Sequence, residues 1–491
     1  MSGFEILIYM SDQHGAGVNG FMGDPVARTP NLDRLAGEGA VFRQAYTACP
    51  LCVPARAALV TSRYPSELGV FGNNDAFSSQ NSSFLHGLGR AGYETVLCGR
   101  MHFVGEEQAH GFEKRVARDF SPSLWGNPSE KRPQMGDFGR SLYQKWCLEI
   151  IGEGDSPVRA YDRYVTQRGI EYLESTPERP QALVIGTYGP HFPYVGDPER
   201  MAYYRPRIRN AYSEEKVNYL MEAAEAKRQR IGQEELVELR CAYYAMVEEM
   251  DQQLGQVYDS WRAYLERKGT KGIFVYLSDH GDQIGIKSFF GKQTFLEYSA
   301  KIPMIIQIDG QSPRDVEIPS SILDLGPTLC GLTGAQAPPL AEGRDWSSWL
   351  LKGQPAEDRP VYSEFFDRLP DGRETIGIMV RQGTWKYISY TGFGEQDLLF
   401  DLRQDPWELR DLPQDHPQRK ALAPLAREAQ KSRMPAMRRW SEQRRDAAYL
   451  AEWGAGYRDR DPVLWEPPVQ VRRAPLGSKP PCARQRTHHH P

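Results

Sequence analysis

The chain has 491 residues, 40% hydrophobic and 25% charged, a balance that suits one large globular domain with a smaller companion. Its formal charge of -4 is small for this length and excludes bulk attraction to nucleic acid or to an anionic membrane surface. Seven scattered cysteines (49, 52, 98, 147, 241, 330 and 482) form no disulfide framework and read as reduced thiols.

The opening stretch, MSGFEILIYMSDQHG, has no basic region followed by a long apolar segment and a small-residue cleavage site, so it reads as a first strand. No apolar run reaches membrane-spanning length, and a cytoplasmic protein without membrane or nucleic-acid partners is expected. Phe4–Met10 runs directly into Ser11-Asp12-Gln13-His14. Thr29-Pro30 predicts the start of a helix to about Gly37, with proline at its first position. Residues 48–62, ACPLCVPARAALVTS, predict a helix beginning near Pro54. Thr95–Cys98 leads into Gly99-Arg100-Met101-His102, and Ala182–Thr187 into Tyr188-Gly189-Pro190-His191. Residues 201–230 read as a polar, Tyr/Arg-rich insertion. A long helix is predicted from Glu234 to about Leu265 by apolar residues at helical spacing. Gly272–Leu277 then runs into Ser278-Asp279-His280-Gly281-Asp282.

Short, nearly continuous apolar strands alternating with helices predict an α/β fold, a large mostly parallel sheet sandwiched by helices. Ligands bind beyond the carboxyl ends of such strands, where all four polar clusters lie. The texture changes near residue 375, so a catalytic domain over 1–375 and a smaller C-terminal α+β unit over 376–430 are expected. The Arg-, Trp- and Pro-rich stretch 431–491 reads as an arm that packs on the body or on a neighbouring subunit, which leaves a homo-oligomer open.

Asp12, Asp279 and His280 are the metal candidates, since two carboxylates and an imidazole at strand ends suit a calcium, magnesium or manganese ion. The imidazole tilts this choice toward manganese, and Gln13 adds an amide oxygen. Capping of the following helix is the plain alternative for either aspartate. His102 and His191 are acid–base candidates, and Arg100 and Lys292 are anion binders. Cys49 and Cys52 have redox-pair spacing without a helix starting between them, and half a zinc site without its other half. The remaining reading places Cys52 at a helix N-terminus, where free N–H groups favour a tetrahedral anion.

Cys52-Val53-Pro54-Ala55-Arg56 resembles the Cys-x-Pro-x-Arg signature of the type I sulfatases, in the alkaline phosphatase superfamily. ILIYMSDQ, ARTPNLDRLAGEG, GYETVLCGRMHFVG, GPHFPY, YLSDHGDQIG and FDLRQDPWELRDL follow the family's order, so the resemblance covers about residues 4–412. It implies an alkaline-phosphatase-like fold and a sulfuric ester hydrolase whose Cys52 a maturation enzyme oxidises to formylglycine. The aldehyde hydrate would be the nucleophile, passing through a sulfated enzyme intermediate before releasing inorganic sulfate. It further implies one divalent cation, calcium with manganese or magnesium as alternatives, held by Asp12, Gln13, Asp279, His280 and the oxidised Cys52. Arg56 would hold the modified residue, and His102 would take a proton from the hydrate. His191 and Lys292 would grip the sulfate and serve the leaving oxygen, and Asn73 would contact the sulfate. Arg100 stands where the family pattern has lysine; it keeps the charge but cannot donate a proton at neutral pH.

A small sulfated substrate is implied, and a saccharide, including glycosaminoglycan-derived fragments, is the expected class. MHFVG followed by HGFE also resembles the choline-sulfatase branch, making choline sulfate an alternative. A phosphonate or phosphate ester hydrolase of the same superfamily is another, and a non-catalytic sulfate-ester binder is the reading from a different class.

Overall fold

The computed structural model describes residues 3–119, 146–148, 150–211, 217–225, 228–354, 356–369 and 371–458. The tail beyond 458, and residues 212–216 and 226–227 of the Tyr/Arg-rich insertion, lie outside them.

The strands of the main sheet are β1 (Phe4–Asp12), β2 (Ala40–Phe42), β3 (Glu94–Gly99), β4 (Lys114–Ala117), β5 (Gln181–Pro190), β6 (Lys271–Ser278), β7 (Met304–Ile308) and β8 (Arg314–Val316). They lie in the order β8-β2-β7-β6-β1-β5-β3-β4. The run from β6 through β1, β5 and β3 to β4 is parallel, and β7 is antiparallel to both its neighbours. The four strands predicted from apolar runs are therefore adjacent and point the same way, which brings their polar ends together.

Alternation along each strand divides the core between the two faces. Ile6, Ile8 and Met10 join Val184, Val275 and Leu277 on the face covered by α2 (Cys52–Thr61). Leu7 and Tyr9 join Ile185, Phe274 and Tyr276 on the other. That second face is covered by α1 (Pro30–Glu38), α3 (Pro157–Leu173) and α5 (Gln233–Lys268). A further helix, α4 (Pro198–Ala211), packs on α5. Gly186 permits the close approach of β5 to the end of β3, since a Cβ there would lie 1.9 Å from the Arg100 carbonyl oxygen.

The chain enters a second, antiparallel sheet at Val361, before the expected join at 375. Its strands are β9 (Val361–Arg368), β10 (Glu374–Gln382), β11 (Trp385–Tyr390) and β12 (Leu398–Asp401), in that order. One face meets the segment before the nucleophile candidate, with Phe365, Met379 and Ile388 against Tyr46, Cys49 and Leu51. The other face is covered by α6 (Pro417–Arg458), through Leu422, Ala426, Met437 and Trp440. Among the described residues no disulfide forms, and no helix is long and apolar enough to cross a membrane.

Candidate active site

The site is assembled at the carboxyl ends of β1, β3, β5 and β6. Asp12 ends β1, and Gln13 follows with φ 68°, a left-handed turn that a non-glycine residue adopts only when its surroundings hold it there. Here they do: the Gln13 N–H donates to Asp279 Oδ1 at 3.0 Å, and its carbonyl accepts from Tyr243 Oη at 2.7 Å. The Gln13 side chain donates from Nε2 to Asp282 Oδ2 at 2.5 Å and accepts from Lys292 Nζ at 2.6 Å.

Helix α2 begins at Cys52 itself, two residues earlier than Pro54, so the cysteine occupies the first turn. The next amide, Val53 N–H, donates to Asn73 Oδ1 at 3.1 Å. Cys52 Sγ lies 3.1 Å from His280 Nε2 and 3.7 Å from Asp12 Oδ1, and Lys292 Nζ donates to it at 3.0 Å. Ligand atoms of Asp12, Cys52, Asp279 and His280 all fall within 4.8 Å of one another, and all four residues are buried. His280 Nδ1 lies 3.0 Å from the Gly281 carbonyl, which can only accept, so Nδ1 carries a proton and Nε2 is the ring nitrogen that faces the group.

Arg56 reaches back one helical turn and joins the two carboxylates, through Nε to Asp279 Oδ2 at 2.8 Å and Nη2 to Asp12 Oδ2 at 2.9 Å. Arg100 adds a second hold on Asp12 Oδ2 at 2.8 Å and donates from Nη2 to His102 Nδ1 at 2.7 Å. Burial opposes ionisation of Asp12, but the Arg100 and Arg56 guanidiniums outweigh it and hold the carboxyl well below the usual range. Burial and Asp12 push the Cys52 thiol up; Lys292 and His280 pull harder, and its pKa falls below the ordinary thiol value. His191 sits at the end of β5 with Nδ1 2.6 Å from the Phe192 carbonyl. Burial, reinforced by the Lys292 charge, holds its pKa well below that of a free imidazole.

Every candidate catalytic, sulfate-contacting or metal-ligating residue from the sequence is therefore brought to this one strand-end region, while Cys49 packs against the second sheet. His14, next to Gln13, is a different case: both ring nitrogens are engaged, by Tyr276 Oη at 2.5 Å and the Val18 carbonyl at 2.9 Å, so it serves the fold. Sequence reasoning missed Asp119, whose Oδ2 accepts the Met101 and His102 N–H groups at 3.1 and 2.7 Å. It missed Tyr188 as well, whose ring lies 4.1 Å from the Arg100 guanidinium carbon. Asp119 follows β4, which repeats the strand-to-aspartate pattern, but Lys-Arg-Val-Ala is too short and polar to stand out as an apolar run.

Comparison with known proteins matches these observations. The sulfatase family profile covers residues 5–335, and a profile for the N-sulphoglucosamine sulphohydrolase C-terminal region covers 285–434. A choline-sulfatase of Rhizobium meliloti is 30% identical over 438 residues, 84% of this chain and 82% of that protein. A multifunctional alkaline phosphatase superfamily protein of Trinickia caryophylli, PehA, is 26% identical over 80% of this chain and 87% of its own. The fold is shared with BT4656, solved with its substrate D-glucosamine-2-N,6-O-disulfate, at TM-score 0.68 and 19% identity, over 88% of this chain and 99% of that one. The chain belongs to the sulfatase family: it is a type I sulfatase of the alkaline phosphatase superfamily, a hydrolase of sulfuric esters.

Proposed function

We propose that this sulfatase cleaves a sulfated saccharide with Cys52, oxidised to formylglycine by a maturation enzyme, beside one divalent cation held by Asp12, Gln13, Asp279 and His280. The observation that carries the reading is the position of Cys52 Sγ inside the candidate donor group, within 4.8 Å of two carboxylates and an imidazole. The donor set fits a cation, and oxidation improves the fit: a hydrated aldehyde replaces a soft sulfur with oxygen, which suits calcium better than the thiol does. Bound there, the cation would supply neutralisation of the sulfate charge. The oxidised Cys52 would supply a hydroxyl nucleophile that a thiol cannot replace.

The remaining work falls to this chain's own side chains. Arg56 fixes both carboxylates and so orients the donors. Arg100 and Lys292 present fixed positive charge to the sulfate oxygens in a buried setting, where such charge acts strongly. Lys292 keeps its charge because Cys52 and Asp12 outweigh its burial, so it has N–H donors for the leaving oxygen. His191 has Nδ1 committed to Phe192, which leaves Nε2 for the ester. Asn73 contacts the sulfate at the helix N-terminus.

For the alcohol half, a choline group would call for aromatic and acidic partners. The carboxylates of Asp12, Asp279, Asp119 and Asp282 are engaged by Arg56, Arg100, backbone N–H groups, Gln13 and Tyr194, which favours a neutral or anionic alcohol. The Tyr/Arg-rich insertion lends this reading less than its composition promised: Arg205 is paired with Glu238 and Glu153, and Arg207 lies over the Tyr203 ring. Choline sulfate is the second reading, favoured by the name of the 30% identical relative.

Two measurements test the proposal. Mass spectrometry of the peptide spanning 44–56 is expected to show a loss of about 18 Da from the cysteine form. Cys52→Ala and Cys52→Ser are expected to lose turnover of an aryl sulfate, and wild-type turnover in either would sink the nucleophile assignment. A panel of sulfated mono- and disaccharides, choline sulfate and an aryl phosphonate identifies the alcohol and the ester. Preference for choline sulfate would replace the saccharide reading.

A further inference from the structure

We infer that Trp440 and Asp75 are positioning residues: together they let the C-terminal helix set the loop that seats Asn73 against the nucleophile. The inference rests on the proposed sulfate contact of Asn73.

Helix α6 carries Arg433, Met437 and Trp440 along one stripe, at spacings of four and three residues. Trp440 is 9% exposed, and its ring lies 5.4 Å from Phe71 and 6.1 Å from Phe366. Its indole N–H donates to Asp75 Oδ2 at 2.7 Å. The same oxygen accepts the Phe71 N–H at 2.8 Å and the Gly72 N–H at 2.7 Å. One carboxylate oxygen thus closes the turn and ties it to the helix. Asn73 lies inside that turn, and its Oδ1 accepts the Val53 N–H, the amide next to Cys52. Beyond the turn the loop is anchored again, by the Phe77 N–H on the Val104 carbonyl at 2.8 Å and by Phe77 stacked 3.9 Å from His110. The segment between these anchors is short, so a shift at Asp75 moves Asn73 relative to Cys52. Phenylalanine at 440 keeps a ring against Phe71 and Phe366 and beneath the Arg444 guanidinium, but it removes the N–H that Asp75 accepts.

The test is a double-mutant cycle on the full chain with an aryl sulfate. Asn73→Ala is expected to raise KM about tenfold, and Trp440→Phe about fivefold with kcat little changed. The double variant is expected to match Asn73→Ala within about twofold, because the two changes act on one contact. Asp75→Ala, which also leaves the Phe71 and Gly72 N–H groups without this acceptor, should raise KM at least as much as Trp440→Phe, while Asp75→Asn, which keeps an accepting oxygen, should restore a near-normal KM. In Trp440→Phe the peptide over 69–77 should exchange amide hydrogen faster. Multiplicative effects in the double variant, or Asp75→Asn as impaired as Asp75→Ala, would overturn the positioning role alone. A wild-type KM in Asn73→Ala would overturn the Asn73 contact and this inference with it. Should Trp440→Phe not fold, the Asp75 pair combined with Asn73→Ala decides the question by the same criteria.

Discussion

Arg100 shows how one side chain ties several parts of the site together. Its guanidinium donates to Asp12 and to His102 Nδ1 and lies over the Tyr188 ring, so three of its neighbours depend on a planar, forked cation. Because an arginine nitrogen only donates, His102 Nδ1 is the acceptor in that bond and the ring proton sits on Nε2. The family resemblance implies that His102 takes a proton, and with Nε2 already protonated the lone pair that could accept it is the one on Nδ1 that Arg100 engages. A lysine at this position keeps the charge but lacks the planar fork that here reaches both partners. Arg100→Lys is therefore expected to retain activity, with kcat/KM lowered about tenfold, and Arg100→Met to lose about a hundredfold, as a buried anion-binding charge disappears. Steady-state kinetics with an aryl sulfate checks both, and equal activity in the lysine and methionine variants would remove the electrostatic role.

The strands and their polar ends were legible because a buried parallel strand is a short apolar run, and this chain has four that stop at Asp or His. What was not legible depends on partners distant in sequence. Asp162, inside α3, accepts the Tyr188 and Gly189 N–H groups at 2.7 Å each, and so holds the end of β5 just before His191. In the sequence it is an ordinary polar position of an amphipathic helix, and Asp75 and Trp440 look like loop and tail. The start of α2 at Cys52 was also missed, because proline favours the first helical turn without fixing which residue opens it. Burial pushes the Asp162 carboxyl up to about 7. The folded state then binds this proton more tightly than the unfolded chain. Its contribution to stability is fully present below the ordinary carboxylate value and is lost as pH rises through about 7, by on the order of 4 kcal/mol. Asp162→Asn removes that slope and leaves one of the two N–H groups without an acceptor, at about 1–3 kcal/mol. Denaturant unfolding should show the variant less stable than wild type near pH 5, with the gap narrowing near pH 8. A gap independent of pH would refute the assignment of this proton to Asp162.

At the scale of the whole molecule, the second sheet is bound to the catalytic sheet by a buried ionic cluster as well as by apolar contact. Lys386 of β11 is 0% exposed and pairs with Glu297 at 2.9 Å and Glu408 at 2.7 Å. Glu297 belongs to the segment between Lys292 and β7, and its carboxylate also accepts from Tyr46 Oη at 3.1 Å. Tyr46 and Leu51 in turn share a core cluster with Phe365 and Met379 of the second sheet, so the stretch leading into Cys52 is clamped by this interface. Replacing one member of such a cluster is costlier than the cluster's net worth, because it strands buried charge. Burial works against ionised Glu297, yet Lys386 and Lys301 hold its carboxyl down at about 2. A depressed folded pKa contributes stability that is present above the ordinary glutamate value and lost as pH falls through about 2. Lys386→Met leaves Glu297 and Glu408 facing each other without their shared cation, and is expected to cost about 3–5 kcal/mol at neutral pH. Protonation relieves that repulsion, so the deficit relative to wild type should shrink as pH falls toward about 4. Urea unfolding at both pH values measures it, alongside aryl sulfate turnover, which should fall in parallel because the Cys52 approach loses its clamp. Unchanged stability at neutral pH would show that this ionic cluster does not hold the two sheets together.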